Sequence, residues 1–323
     1  MYTKHFVNPC PDWATALLNG FSQVLLQCNP LCGLCCLLAI LLTAPDLIGG
    51  ALLGALAGLL TAQRRGYTRS DRQSGLYSYN GVLIGLLLSH ALPWTAILPP
   101  LIIAAGGLSS MLVHQWLKRT GPNSLLPAYT TPFVLLGWAA LAMSEPTPSS
   151  TAVDSNPLFA LARGLGQIFL LDQPLAGLLI ALGLLIANRY AAAWALLGSA
   201  LGGSVALLVG AETNAVFNGL YGFNAALAAL AFSQTRSQPW RPLLAIALAI
   251  LLQPGFAHLA VPGLTAPFIL ACWLLHVGIR ASRQPLAHGA SVAGVPASKP
   301  AGPVTARRHV ENRFKNGSFK PME

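Results

Sequence analysis

Charge is scarce in this sequence. Only 9% of its 323 residues are Asp, Glu, Lys or Arg, and nine of those are acidic. A soluble domain carries about 25%. With 54% hydrophobic residues and a mean hydropathy of +0.59, the composition is that of an integral membrane protein. The long Leu/Ala/Gly-rich runs lack the alternation of barrel strands, so the expected class is all-α. Other things are missing too. No acid stands beside a mid-span histidine, which removes support for a proton relay; His90, His114, His258 and His276 read as helix-end residues. No nucleophile–base pair is evident, which weighs against an intramembrane enzyme built on Asp172 and a cysteine. Cys32-Gly-Leu-Cys35 lies in an apolar run with no second pair at zinc spacing. It reads, like Cys10, Cys28, Cys36 and Cys272, as small apolar packing residues. No metal or cofactor is expected. Met1 to Trp13 lacks the apolar core of a secretory signal.

The net charge of +10 does not point to nucleic acid, because the basic residues sit in short gaps between apolar runs and in the tail. The expected partner is the lipid bilayer.

Two phrases stand out. Leu126-Pro127-Ala128-Tyr129-Thr130-Thr131-Pro132-Phe133 and Val261-Pro262-Gly263-Leu264-Thr265-Ala266-Pro267-Phe268 share one pattern, and each is followed by a tryptophan, Trp138 and Trp273. Prolines five apart cannot lie within one regular helix. In lipid such breaks survive only where protein or a polar cavity satisfies the freed backbone. The repetition extends further. Gln23, Pro30 and Gly33 match Gln167, Pro174 and Gly177, and Gly75-Leu76-Tyr77-Ser78-Tyr79-Asn80 matches Gly219-Leu220-Tyr221-Gly222-Phe223-Asn224, all at an offset of 144. The threonine motif repeats at 135, so the second copy is nine residues shorter between its Asn and Thr.

The expected organisation is a cytoplasmic N-terminus (1–11), a first repeat (12–144), an extracytoplasmic linker (145–157), a second repeat (158–280) and a disordered basic cytoplasmic tail (281–323). If the helix before Asn29-Pro30 is re-entrant, each repeat has five transmembrane helices plus one re-entrant helix. The odd number inverts the second repeat. This arrangement puts 18 of the 19 basic residues on the inside, Arg163 being the exception.

The polar groups present in duplicate are uncharged: Gln23 and Gln167, Thr130 and Thr265, Asn80 and Asn224. Amide and hydroxyl groups suit a small neutral solute with both N–H and C=O, and the absence of a duplicated charge disfavours an ion. The Gln and Thr pairs accompany helix breaks and read as site residues. The Asn pair reads as a bridge between helices. Tyr79 and Phe223 are candidate walls of a slot or core packing. Asp172, matched by Cys28, reads as a helix-end or mouth residue, with a place near the solute path as the second reading.

These motifs resemble the urea transporter family, over about residues 12–280. The resemblance implies a homotrimer in the plasma membrane (for a bacterial member, the inner membrane). Each protomer would have its own pore and conduct urea passively through a filter between inverted halves. It implies filter roles for Gln23, Gln167, Thr130 and Thr265, and slot roles for Tyr79 and Phe223. Leu26 and Leu170 fall where some relatives have Phe. The rival functions are a channel or coupled transporter for ammonia, ammonium or a short amide, and the intramembrane enzyme considered above.

Overall fold

The computed structural model describes residues 12–121, 126–142, 155–234, 237–258 and 262–283. These lie in one compact unit. The N-terminal 1–11, most of the linker and the tail from 284 lie outside the described residues.

Among the described residues there are only helices, and they repeat. The first half contains α1 (Asp12–Val24), α2 (Pro30–Thr43), α3 (Ile48–Arg64, entered through a 3-10 turn at Pro45–Leu47), α4 (Arg69–Gln73), α5 (Tyr79–Ala91), α6 (Leu98–Thr120) and α7 (Thr131–Leu141). The second half contains α8 (Pro157–Gly166, continued by a 3-10 turn at Gln167–Phe169), α9 (Pro174–Ala187), α10 (Arg189–Leu208), α11 (Thr213–Phe217), α12 (Phe223–Phe232), α13 (Trp240–His258) and α14 (Ala266–Arg283). Helices α1–α5 and α8–α12 correspond at an offset near 144, and α7 and α14 at 135. The short α4 and α11 were not expected from hydropathy, since both are single turns inside gaps. Helix α14 runs three residues past the boundary expected at 280.

Among the described residues, three helical stretches are long and apolar enough to cross a membrane unaided: Pro45–Arg64, α6 and α10. The pair α8–α9, bent by 76°, would make a fourth. Six other apolar helices are shorter. The chain is thus an all-α membrane protein with a bent, re-entrant-like pair at the start of its second half.

Composition explains which helices lie inside. Every residue of α5 from Tyr79 to Ser89 is buried, and so is α12 from Asn224 to Leu230. Helices apolar all round belong in a core. Helix α2 has leucines on one side exposed to the surroundings, Leu31, Leu34, Leu38, Leu41 and Leu42, while its other side packs on α9, its own counterpart. At that crossing a methyl group on Gly183 would sit 2.9 Å from the Cβ of Cys35. The α2 cysteines are therefore small residues at a close helix crossing.

The repeated glycines are steric. A side chain at Gly33 would fall on the Leu18 carbonyl, and one at Gly177 on the equivalent Ala162 carbonyl. Only Gly lets α2 and α9 touch the backbones of α1 and α8. Gly75 and Gly219 combine such contact with left-handed φ of 83° and 80°.

Candidate functional site

Both proline phrases form the same broken helix start. Pro127 and Pro262 lie outside the helices, and Pro132 and Pro267 lie in the first turns of α7 and α14. Between them the chain turns through Tyr129 (φ 40°) and Leu264 (φ 44°). Positive φ is rare for residues of this size. The turn frees the next residue from helical geometry. The carbonyls of Thr130 and Thr265 accept the first helical bonds, from Val134 and Ile269. Thr130 makes no side-chain cap bond. Instead the two hydroxyls meet, Oγ1 to Oγ1 at 2.7 Å, with both threonines 3% exposed. Residues 135 positions apart are thereby paired at the centre of the protein.

Reciprocal ties surround this pair. The Trp138 indole N–H donates to the Pro262 carbonyl at 2.8 Å, and that of Trp273 donates to the Pro127 carbonyl at 2.9 Å. Trp116 stacks on Trp273, and Phe256 sits against Trp138. Contacts in which i meets j and j's copy meets i's copy are those of a two-fold relation. The two halves are therefore interlocked about the threonine pair.

Each break is also clamped from within its own half. Asn80 accepts the Phe133 N–H at 3.1 Å, and its amide nitrogen lies 3.5 Å from the Tyr129 carbonyl. Asn224 accepts the Phe268 N–H at 3.3 Å and donates to the Leu264 carbonyl at 3.1 Å. The expected bridging role of the Asn pair is what the geometry shows. Asn80→Ala should orphan a buried N–H, costing about 1–3 kcal/mol. The measurement is melting of the purified protein in detergent; an unchanged midpoint would remove Asn80 from this role.

The glutamines lie at the other breaks. The carbonyls of Gln23 and Gln167 accept the N–H of Leu26 (2.9 Å) and Leu170 (3.1 Å), and those leucines have φ of 57° and 59°. So the leucines standing where some relatives have Phe are the left-handed residues that stop α1 and the 3-10 turn after α8. The Gln167 amide donates to the Asn218 carbonyl at 3.0 Å. The Gln23 side chain has no such tie among the described residues.

Gln167, Leu170, Phe223 and Thr265 line one cavity of about 620 Å3, together with Tyr221 and Gln253. Half of the expected site is thus brought together around a space that reaches Thr265. Tyr79 differs from Phe223. It is buried, and its hydroxyl donates to the Tyr129 carbonyl, so it secures a break, whereas Phe223 faces the cavity. Asp172 is exposed, consistent with a helix-end or mouth position.

Sequence reasoning missed Arg163. It is buried, donating from Nε to the Asp172 carbonyl at 3.0 Å and from Nη1 to the Phe217 carbonyl at 3.1 Å. Its first-half equivalent, Asn19, donates to the Gln73 carbonyl at 2.7 Å, the position matching Phe217. The one cation that broke the charge sorting is a backbone tie, and that exception was the available signal. His276 was also misread. It lies within α14, its Nε2 3.1 Å from the Tyr129 hydroxyl.

Two broken helices interlocked in an all-helical membrane protein, with neutral polar groups where they meet among the described residues, suit a transporter of a small uncharged solute. A family model described as urea transporter matches residues 14–280, most of the chain. The chain belongs to the urea transporter family. It is 28% identical over 309 residues to urea transporter 1 of Ovis aries, covering 84% of this chain and 80% of that protein. To urea transporter 1 of Mus musculus it is 28% identical over 264 residues, covering 74% and 67%. It is accordingly a transporter and not an enzyme.

Proposed function

We propose that the chain conducts urea by facilitated diffusion between its two halves, with Thr130 and Thr265 at the narrowest point and Gln23 and Gln167 towards opposite ends. The observation that carries this reading is the buried hydroxyl pair. When one threonine donates to the other, the pair still offers one O–H and several lone pairs. Urea needs both, a donor for its carbonyl and acceptors for its N–H groups. The tie from Gln167 to Asn218 holds the nitrogen end of that amide, so its oxygen is the end left to accept from a solute. Phe223, Leu170 and Leu26 supply apolar walls. A neutral solute that exchanges its water for such groups passes; a bare ion would lose hydration worth several kcal/mol with no countercharge.

The same reading takes the protein to be a homotrimer in the plasma membrane, the inner membrane if the source is bacterial. Both termini are cytoplasmic and the second half is inverted. Single cysteines at Ser149 and Ser237, in a background of silent native cysteines, are expected to react with an impermeant reagent from opposite faces. Reaction of both from one face would sink the inversion.

The function itself is tested in proteoliposomes by parallel urea, ammonia, water and ion fluxes. Saturable or fast urea flux without a proton or sodium gradient is expected. Gradient-dependent flux, or ammonia flux with no urea flux, would favour the rivals.

A further inference from the structure

Around the threonines the two halves share one backbone pattern, and the largest chemical difference falls on one residue and what it touches. In the second motif the residue before the threonine is Leu264, which packs over Gly137; a methyl group there would lie 2.9 Å from a Leu264 methyl. In the first motif it is Tyr129. The residue equivalent to Gly137 is Cys272, and the residue opposite the tyrosine, His276, is matched in the first half by Leu141. One side of the centre is therefore an apolar wedge. The other is a polar tether from Tyr129, ahead of α7, to His276 on α14.

Tyr129 is held at several points. Its carbonyl accepts the Tyr79 hydroxyl and faces the Asn80 amide. Its ring meets Phe268 edge-on at 5.0 Å. Its hydroxyl lies 3.1 Å from His276 Nε2, and the imidazole is itself backed by the Phe232 ring at 4.9 Å. A tyrosine at φ 40° is an outlier that its surroundings must over-determine. The residue that follows it is Thr130, so whatever fixes Tyr129 aims the Thr130 hydroxyl.

We propose that His276 is a positioning residue for the central threonine pair: by holding the Tyr129 hydroxyl it keeps the left-handed turn that points Thr130 at Thr265. This rests on the reading of that pair as part of the urea passage. In this scheme the phenol donates and the imidazole accepts at Nε2. His276 touches no solute in this scheme. Its effect runs across the interface between halves and through one backbone turn.

The test is urea permeability of the full-length protein in proteoliposomes. Loss of a hydrogen bond of ordinary strength corresponds to about fivefold. Tyr129→Phe, which keeps the ring and its packing, is expected to slow urea by that factor, as is His276→Leu. The double variant is expected to be no slower than either. His276→Gln, which offers an amide oxygen as acceptor, should recover most of the flux. In a Thr130→Val background, Tyr129→Phe should add no further loss. Wild-type flux in Tyr129→Phe, multiplied losses in the double variant, or a His276→Gln protein as slow as His276→Leu would each overturn the proposal. Wild-type protein that conducts no urea would instead overturn the function on which it rests.

Discussion

Thr130→Val and Thr265→Val are each expected to slow urea permeation by about tenfold, and the double variant by more, since each deletes a hydrogen-bonding group in a dry site. Valine keeps the β-branched shape, so packing is conserved and the hydroxyl alone is lost. Stability should follow a different order. Each single change leaves a buried hydroxyl without its partner, at a cost of about 1–3 kcal/mol. The double change removes both partners and leaves no orphan, so its melting point should recover towards wild type while its flux is the lowest of the three. Thr→Ser keeps the oxygen and should stay near wild type in both. Stopped-flow efflux from proteoliposomes and melting in detergent measure the two quantities. Threonine-to-valine proteins that conduct like wild type would make the 2.7 Å pair a structural staple, and the passage would then have to run elsewhere between the halves.

The second large effect is expected at the glutamines. Gln→Leu approximately conserves volume and removes every hydrogen bond. Gln167→Leu should reduce urea flux by about tenfold or more if desolvation at that end limits passage. It should also destabilise slightly, because the tie to Asn218 is lost. Gln23→Leu is the cleaner experiment. Its side chain ties no other described residue, so a fall in flux with an unchanged melting point would assign the amide to the solute. Unchanged flux in well-folded Gln23→Leu would leave that end of the passage without its proposed acceptor.

Much of this arrangement was legible before any coordinates, for local reasons. Low charge and long apolar runs specify a membrane protein, because lipid tolerates little else. Prolines and glycines mark where helices stop or touch, since a missing N–H or missing Cβ acts on its immediate neighbours. Hence the breaks at 126–133 and 261–268, and the close approaches of Gly33 and Gly177, coincide with motifs. Duplication exposed the pairing of Gln23 with Gln167 and Thr130 with Thr265, because equal offsets survive in a linear chain.

The roles of individual side chains within those pairs were less accessible. Tyr79 and Phe223 occupy equivalent positions, yet one ties a carbonyl and the other faces the cavity. The difference is the tyrosine hydroxyl and the carbonyl that happens to lie beside it, fifty residues away in sequence. Arg163 looked like a misplaced charge until the carbonyls of Asp172 and Phe217 were found around it. His276 looked like a helix end because hydropathy fades before α14 does.

The sequence by itself determined the class of the protein, its two-fold construction, the places where its helices break and the neutral character of the polar groups duplicated at those breaks. Each of these depends on composition or on neighbours within a few residues. Only the tertiary structure decided that the two threonine hydroxyls face one another, that Trp138 and Trp273 cross to the opposite half, and that Tyr129 reaches His276 where its counterpart Leu264 meets a glycine. Those contacts join residues more than a hundred positions apart. They exist because the docking of two similar but unequal halves fixes which groups meet, and no local pattern encodes that choice.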